Sequence, residues 1–221
     1  MKILIYTDSR GLSFHDRFKS QRFQTYSEKL SEIYDVDAFV DAWQSIVGLF
    51  DVVDDFTKYD KVILHAGLID IAPRHHRTCK DKIYVEYKDN FDEIFGEEEM
   101  DKHLNTYFPH KFRRRKTTNM FTVEKAEECL IPRLQKIPNI LWILSNRYVH
   151  HWPNCRKYKY HPKRINETIM AYEELYKKHF DVIDLTKWTD EEIKKYTYDN
   201  VHFTKEGNDL VYNMLIEKLG N

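Results

Sequence analysis

Residues able to do nucleophilic chemistry lie at opposite ends of this chain. Ser9 comes shortly after the apolar residues 3–6, and Gly11 follows it, which is typical of a buried strand that turns toward a helix. Asp199 and His202 stand three residues apart, just before a helical pattern. A serine hydroxyl, an imidazole that removes its proton and a carboxylate that orients the imidazole form a set used in acyl transfer. Although a lone Ser in such a place is usually a turn hydroxyl, the distant Asp-x-x-His pair favours a Ser9–His202–Asp199 triad.

Polar and charged side chains follow other apolar runs of the chain. Asp70 comes after a central apolar run and Asn146 after a later one, while Arg10 adjoins Ser9 and Arg74 lies on the same loop as Asp70. A guanidinium forms bidentate bonds to carboxylate or phosphate, so both arginines suit an acidic sugar or a phosphorylated group. Their alternative role is to pair with neighbouring aspartates and brace the loops, and Asp70 too is often structural in such a place. We predict these four residues as substrate-binding residues.

The elements that must position these side chains alternate between strand and helix. Apolar runs predict buried parallel strands over residues 3–6, 36–40, 61–65, 140–144 and 182–185. Apolar positions at three- and four-residue spacing predict helices over 23–33, 49–56, 123–135, 165–179 and 205–219, with Thr122 and Thr204 as N-caps. This alternation predicts the α/β class, as a three-layer α/β/α, flavodoxin-like sandwich around a central five-stranded parallel sheet. Ligands of such sheets bind beyond the carboxyl ends of the strands, where the candidate residues converge.

Residues 75–121 do not fit the alternation, because they are far longer than a usual connection. They hold an aromatic and acidic stretch over 84–95 and a basic run from Arg113 to Lys116. We predict an insertion beside the active edge that serves as a lid or a substrate-binding element. The equally open alternative is a solvent-exposed segment whose aromatic side chains pack against one another. The basic run, taken alone, is typical of a solvated face.

Composition limits the remaining functions. The 221 residues suit one α/β domain spanning 1–221, and 35 basic against 36 acidic residues create no global field that favours nucleic acid or an anionic membrane. Cys79, Cys129 and Cys155 are widely spaced and predict free thiols. No apolar stretch approaches the ~20 residues that span a bilayer, and no leader-like segment precedes the first strand, so we expect a cytoplasmic protein.

Two histidine pairs and a group of aromatic residues are further candidates for binding elements. The pairs His75-His76 and His150-His151 lack a carboxylate motif, so we expect no metal and no cofactor, and nothing indicates an obligate protein partner. The aromatic residues follow the fourth predicted strand and can stack on sugar rings, although packing is their more usual role in a chain with 15 Tyr. They are Tyr148, Trp152, Tyr158 and Tyr160.

Taken together, the motifs resemble those of the SGNH (GDSL-type) hydrolases. That family has a Gly-Asp-Ser block, a later Gly, a Gly-x-Asn-Asp block and a C-terminal Asp-x-x-His. The corresponding segments here are Thr7-Asp8-Ser9, Gly48, Gly67-Leu68-Ile69-Asp70 and Asp199 to His202, which span nearly the whole chain. The resemblance implies that the backbone N–H groups of Ser9 and Gly48 hold an oxyanion, although a Gly after an apolar run is equally often a turn or cap. The family's oxyanion Asn is replaced by Ile69, which has no donor.

Two functions of different classes follow from this resemblance. The first is a serine esterase or acyl transferase that acts on an O-acylated, acidic or neutral carbohydrate, such as one used in surface-glycan synthesis. The second is a non-catalytic carbohydrate-binding or scaffold protein that has the fold but lacks the oxyanion Asn. Phosphoryl transfer is less favoured, because the chain has no Gly-x-x-x-x-Gly-Lys loop.

Overall fold

The computed structural model describes residues 1–14, 21–112, 114–150, 152 and 164–220. Its strands are β1 (Lys2–Thr7), β2 (Asp35–Val40), β3 (Lys61–His65), β4 (Arg74–His75), β5 (His110–Phe112), β6 (Arg115–Thr118), β7 (Ile140–Ile143) and β8 (Asp181–Ile183).

The helices lie between these strands. The α-helices are α1 (Tyr26–Leu30), α2 (Leu49–Val52), α3 (Leu68–Ile71), α4 (Lys88–Phe95), α5 (Glu97–Thr106), α6 (Ile165–His179), α7 (Asp190–Tyr196) and α8 (Lys205–Gly220). Short α-helical and π-helical segments join end to end over His76–Thr78 and Cys79–Tyr84, and again over Val123–Lys125, Ala126–Leu130 and Ile131–Leu134. Single 3₁₀ turns cover Ser9–Gly11, Ile46–Gly48, Phe56–Lys58 and Leu185–Lys187.

The main sheet has five parallel strands in the order β2-β1-β3-β7-β8. Successive residues of β1 point to opposite faces, because side chains alternate along a strand. Leu4 and Tyr6 belong to one apolar cluster, and Ile3 and Ile5 belong to the other. Both faces are therefore covered, and the predicted α/β/α sandwich with a five-stranded parallel sheet is confirmed.

The chain runs from β1 outward to β2 and then back across β1 to β3. The carboxyl ends of β1 and β3 therefore flank the point where the strand order reverses. Crevices at such points are the usual ligand sites of open α/β sheets. The 3₁₀ turn that begins with Ser9 and helix α3, which contains Ile69, follow these two strands.

Several predicted helices differ from the observed ones in length. Helices α6 and α8 match their predictions, and the Thr122 and Thr204 hydroxyls accept backbone N–H groups in the first turns that follow them, which confirms both N-caps. The helices predicted over 23–33 and 49–56 shrink to five and four residues. Helix α7, which was not predicted, begins at a capping box between Thr189 and Glu192.

The segment 75–121 contains regular structure that its pattern did not indicate. Helices α4 and α5 form its first part, and β5 and β6 then join β4 in a second, antiparallel sheet with the order β4-β6-β5. Arg74 pairs with Thr118 in this sheet, and Lys111 pairs with Lys116. The role of the segment as a lid or substrate-binding element remains a prediction. Among the described residues, no helix is long and apolar enough to cross a membrane.

Candidate active site

Ser9 lies in a tight turn directly beyond β1. The Asp8 carboxylate accepts the backbone N–H of Arg10 and so begins the 3₁₀ turn Ser9–Gly11. Gly11 is required here, because a Cβ at this position would stand 2.4 Å from Cγ2 of Thr7. The turn holds the Ser9 side chain at the carboxyl edge of the sheet, 3.1 Å from His202.

His202 and Asp199 lie on the loop that precedes α8. Both oxygens of the Asp199 carboxylate lie 2.9 Å from Nδ1 of His202, and Oδ1 also accepts the backbone N–H groups of Val201 and His202. Asn200 adopts the left-handed conformation with φ of 70° and accepts the Val149 N–H through Oδ1. The imidazole and its carboxylate are thus held by the fold of the loop itself.

The three side chains form a continuous hydrogen-bonded relay. Because the Asp199 carboxylate can only accept, Nδ1 of His202 carries a proton and Nε2 is left as an acceptor. Nε2 lies 3.1 Å from Oγ of Ser9, so the hydroxyl donates to it. The structure therefore brings together the three predicted catalytic residues, while their catalytic role remains a prediction.

Arg10 does not line the pocket, and its contact with substrate remains a prediction. Its Nε and Nη2 groups donate to the two carboxylate oxygens of Asp8, both at 2.8 Å, and Nη1 donates to Oγ of Ser145 at 2.7 Å. The side chain is 3% exposed, and its bonds hold the turn after β1 against the segment after β7. Behind it, the Ser145 N–H donates to Glu173, and burial raises the pKa of Glu173 to about 7.

Asp70 and Asn146 are also buried braces rather than pocket residues. Asp70 accepts the Ser45 hydroxyl and the Ile46 N–H, both at 2.8 Å, and so joins the loops after β2 and β3. Burial raises the pKa of Asp70 to about 7, although both hydrogen bonds act to lower it. Asn146 donates to the carbonyl oxygen of Asn200 at 2.9 Å and supports the His202 loop. Neither residue lines the pocket, and their contact with substrate remains a prediction.

Gly48 likewise does not line the pocket, and its role as an oxyanion donor remains a prediction. Its N–H donates to the carbonyl oxygen of Ser45 within the 3₁₀ turn Ile46–Gly48. A Cβ at Gly48 would stand 2.6 Å from the Tyr87 ring and 2.7 Å from the Tyr6 hydroxyl. The glycine is there because two tyrosines pack against its Cα.

A pocket of about 210 Å³ opens directly above the relay. Ser9 and His202 lie in its lining, while Asp199 lies behind His202. The walls come from several loops and are formed by Asp8, Phe14, Ala42, Trp43, Leu68, Ile69, Arg74, Tyr148 and Val201. Trp43 and Phe14 were not predicted, although each follows an element that ends at this edge of the sheet. Tyr148 is in the pocket, whereas Trp152 is packed in the core on the other face of the sheet.

Arg74 is the predicted substrate-binding residue that the structure does place in the pocket wall. Its Nε donates to the carbonyl oxygen of Ile69 at 3.2 Å, and its guanidinium lies 5.3 Å from the centroid of the Trp43 ring. In the described part of the chain neither Nη group has an acceptor and no carboxylate forms an ion pair with Arg74. The pocket therefore carries a positive charge whose Nη donors remain available to a ligand.

Other predicted elements either lie apart from the pocket or outside the described residues. His75 and His76 lie beside each other, with ring centroids 4.8 Å apart, and the described residues contain no group of three or more side chains suited to a metal. Cys79 and Cys129 are free thiols. Predictions for Arg113, His151, Cys155, Tyr158 and Tyr160 concern residues outside the described part.

The parallel α/β/α sheet, with Ser9, His202 and Asp199 at its carboxyl edge, has a fold similar to that of lipases of known structure. The lipase/acylhydrolase from Enterococcus faecalis superimposes with a TM-score of 0.53 at 14% identity, over 99% of this chain and 94% of that one. A GDSL-like lipase from Parabacteroides merdae superimposes with a TM-score of 0.51 at 16% identity, over 99% and 95%. No protein-family model and no curated protein sequence matches the chain. The SGNH-like fold that the motifs indicated is confirmed.

Proposed function

We propose that the protein is a serine ester hydrolase or acyl transferase that acts on an O-acylated carbohydrate. The observation that carries this proposal is the relay from Asp199 through His202 to Ser9 at the base of an open pocket. A hydroxyl that donates to a neutral imidazole, which in turn donates to a buried carboxylate, is the arrangement that activates serine.

The geometry supports a two-step reaction. His202 Nε2 takes the Ser9 proton as Oγ attacks the acyl carbonyl carbon, and then returns the proton to the departing sugar oxygen, which leaves an acyl group on Ser9. Water or an acceptor hydroxyl, deprotonated by the same Nε2, attacks this acyl-serine, and His202 returns the proton to Oγ of Ser9 as the bond between Oγ and the acyl group breaks. Asp199 orients the imidazole and stabilises its protonated form.

The oxyanion in this proposal is held by backbone N–H groups. Within the described residues, the amides of Ser9, Leu68 and Ile69 have no hydrogen-bond acceptor, and all three residues line the pocket. Since Ile69 stands where the family has Asn, no amide side chain assists at that position. One missing donor typically lowers turnover by about 10²–10³-fold, so we expect a slow esterase on simple esters.

The carbohydrate substrate is supported by the pocket walls. Trp43 is 44% exposed at the rim, and Tyr148 lies in the wall. Aromatic rings at a pocket mouth offer an apolar face to the C–H side of a sugar, while their polar edges remain hydrated. A substrate of this kind would reach Ser9 between the two rings.

A non-catalytic binding protein is the second candidate, and the observation that favours it is Ile69. Covalent labelling with a fluorophosphonate probe separates the two proposals, because only an activated serine reacts with it. We expect labelling of the wild type and of Ser31→Ala, a control at an exposed serine on the first turn after α1, and none of Ser9→Ala or His202→Ala. The same pattern is expected for hydrolysis of 4-nitrophenyl acetate. Equal labelling of Ser9→Ala, with its fold intact by circular dichroism, would refute the catalytic proposal.

A further inference from the structure

A strip of unpaired basic side chains begins in the pocket and continues along the second sheet. We call it the basic strip, and its described members are Arg74, Lys111, Arg114 and Lys116. All but Arg74 are exposed, and within the described residues none of the four forms an ion pair with a carboxylate. Residues 107–118 contain five Lys and Arg residues and no Asp or Glu. A locally positive surface therefore exists on a protein whose formal net charge is −1.

The register of the second sheet gives the strip its direction. Arg74 pairs with Thr118, and Lys116 lies two residues before Thr118 on the same face, about 7 Å along the strand. Lys111 is the direct cross-strand partner of Lys116 and therefore shares that face, about 5 Å farther from Arg74. Arg74, Lys116 and Lys111 therefore lie in a row on one face of the second sheet, at increasing distance from the pocket.

Two features of the strip are unfavourable for the free protein. Like charges placed directly opposite each other in a ladder, as Lys111 and Lys116 are, repel. Arg114 adopts φ of 63° in the connection between β5 and β6, where Gly or Asn would meet less steric strain. An anionic ligand would relieve the repulsion.

Arg74 connects the strip with the chemistry of the pocket. It lines the same pocket as Ser9, and its Nη groups remain available beside Trp43. An acyl ester seated at Ser9 would therefore place a neighbouring sugar at Arg74 and further sugars over β6 and β5. A small neutral ester would contact none of the exposed cations.

We propose that the strip binds an acidic glycan chain, so that the substrate is an O-acylated polysaccharide whose sugars carry carboxylates. This inference rests on the proposed function and names its substrate class. Arg74 binds the carboxylate nearest the ester through a bidentate contact, and Lys116, Lys111 and Arg114 bind those that follow. A nucleic acid is the competing polyanion, but it offers no acyl ester to a serine that lies at the head of the strip.

The test compares O-acetylated polygalacturonate with O-acetylated xylan, which is neutral, and with 4-nitrophenyl acetate. The strip variant is Lys111→Gln/Arg114→Gln/Lys116→Gln. The matched control is Lys58→Gln/Lys61→Gln/Lys136→Gln, which removes three cations close to the amino ends of β3 and β7, on the opposite edge of the sheet. We expect the strip variant to lose roughly tenfold in kcat/KM on the acidic polymer, mainly through KM, and less than about twofold on the aryl acetate. The control should change neither rate.

The dependence of the hydrolysis rate on salt is the second part of the test. Raising sodium chloride from about 0.05 M to about 0.5 M should lower the wild-type rate on the acidic polymer and remove its advantage over the strip variant. Equal loss on xylan, or an unchanged kcat/KM on polygalacturonate, would overturn the proposal.

Binding of fluorescent oligogalacturonate to Ser9→Ala separates the strip from catalysis. If the wild type hydrolyses no ester, binding that the strip variant loses still supports the strip, and absence of binding overturns it. Tighter binding of a single-stranded oligonucleotide than of oligogalacturonate would also overturn it.

Discussion

Replacing Ile69 by Asn restores a side-chain donor at the position where the SGNH motif has one. Ile69 is the second residue of α3, lines the pocket and is 5% exposed. The turn around it is fixed independently of its side chain, because Gly67 has φ of 88° and Asp70 holds the Ile46 N–H. We therefore expect the new amide to enter the pocket without rearranging the loop.

The size of the effect follows from two opposing contributions. A donor that reaches the oxyanion raises turnover by up to about 10²-fold, equivalent to about 2.7 kcal/mol of transition-state stabilisation. The same substitution removes a buried aliphatic side chain from the core and introduces a polar one, which lowers the free energy of unfolding by roughly 2–4 kcal/mol. Ile69→Asn should therefore be less stable and more active.

The assay is steady-state hydrolysis of 4-nitrophenyl acetate, with thermal unfolding followed in parallel. Ile69→Leu is the matched control, since Leu and Asn have nearly the same shape and only Asn can donate. We expect kcat to rise in Ile69→Asn relative to Ile69→Leu, and Ser9→Ala in either background to be inactive. Equal kcat in the Asn and Leu variants would refute the reasoning and indicate that backbone amides already fill the oxyanion site.

Three other residues give separate tests. Asp199→Asn should lower kcat by roughly 10²–10⁴-fold without unfolding the loop, because the amide oxygen can still accept the backbone N–H groups but no longer fixes the His202 tautomer; a wild-type kcat would remove Asp199 from the relay. Unfolded Glu173 releases its proton near pH 4.5 and the folded group near 7, so this group should lower the wild-type free energy of unfolding by about 3 kcal/mol as the pH rises through that interval. Glu173→Gln should flatten this slope in urea titrations, and an unchanged slope would contradict the assignment. Gly48→Ala should lower Tm, at a cost of roughly 1–3 kcal/mol, because its methyl group meets two tyrosine side chains; an unchanged Tm would contradict that packing.

The sheet and the relay were predictable because their signals are local. A parallel strand buried on both faces is a continuous apolar run, so Ile3 to Tyr6 could be recognised without knowledge of its neighbours. Ser9 could be recognised because it comes shortly after such a run and is followed by a turn glycine. His202 could be recognised because it ends a short Asp-x-x-His motif. The strands of the second sheet could not be found in this way, since β4, β5 and β6 have two to four residues each and are rich in basic side chains.

The roles of individual polar residues depended on burial, which the sequence does not specify. For both Arg10 and Arg74 the sequence left substrate binding and loop bracing equally open, and the structure separates the two residues. Arg10 forms an ion pair with Asp8, whereas the side chain of Arg74 contacts the Ile69 carbonyl oxygen and the Trp43 ring. The motif positions predict that Asp70 binds substrate and that Gly48 donates to the oxyanion. In the structure both lock the loop after β2 against its neighbours.

The energetics of the buried charges favour the catalytic proposal over the binding one. Asp199 and His202 are 2% and 3% exposed, and Asp8 and Arg10 are buried to the same degree. Removing carboxylates from water costs several kcal/mol per ion before any pairing, and well-packed apolar residues are often at least as stable in such places. A surface that only bound sugar would need the aromatic rim and Arg74, but no carboxylate behind an imidazole that contacts a serine. The arrangement is therefore better explained by a reaction in which His202 becomes positively charged and Asp199 stabilises that charge.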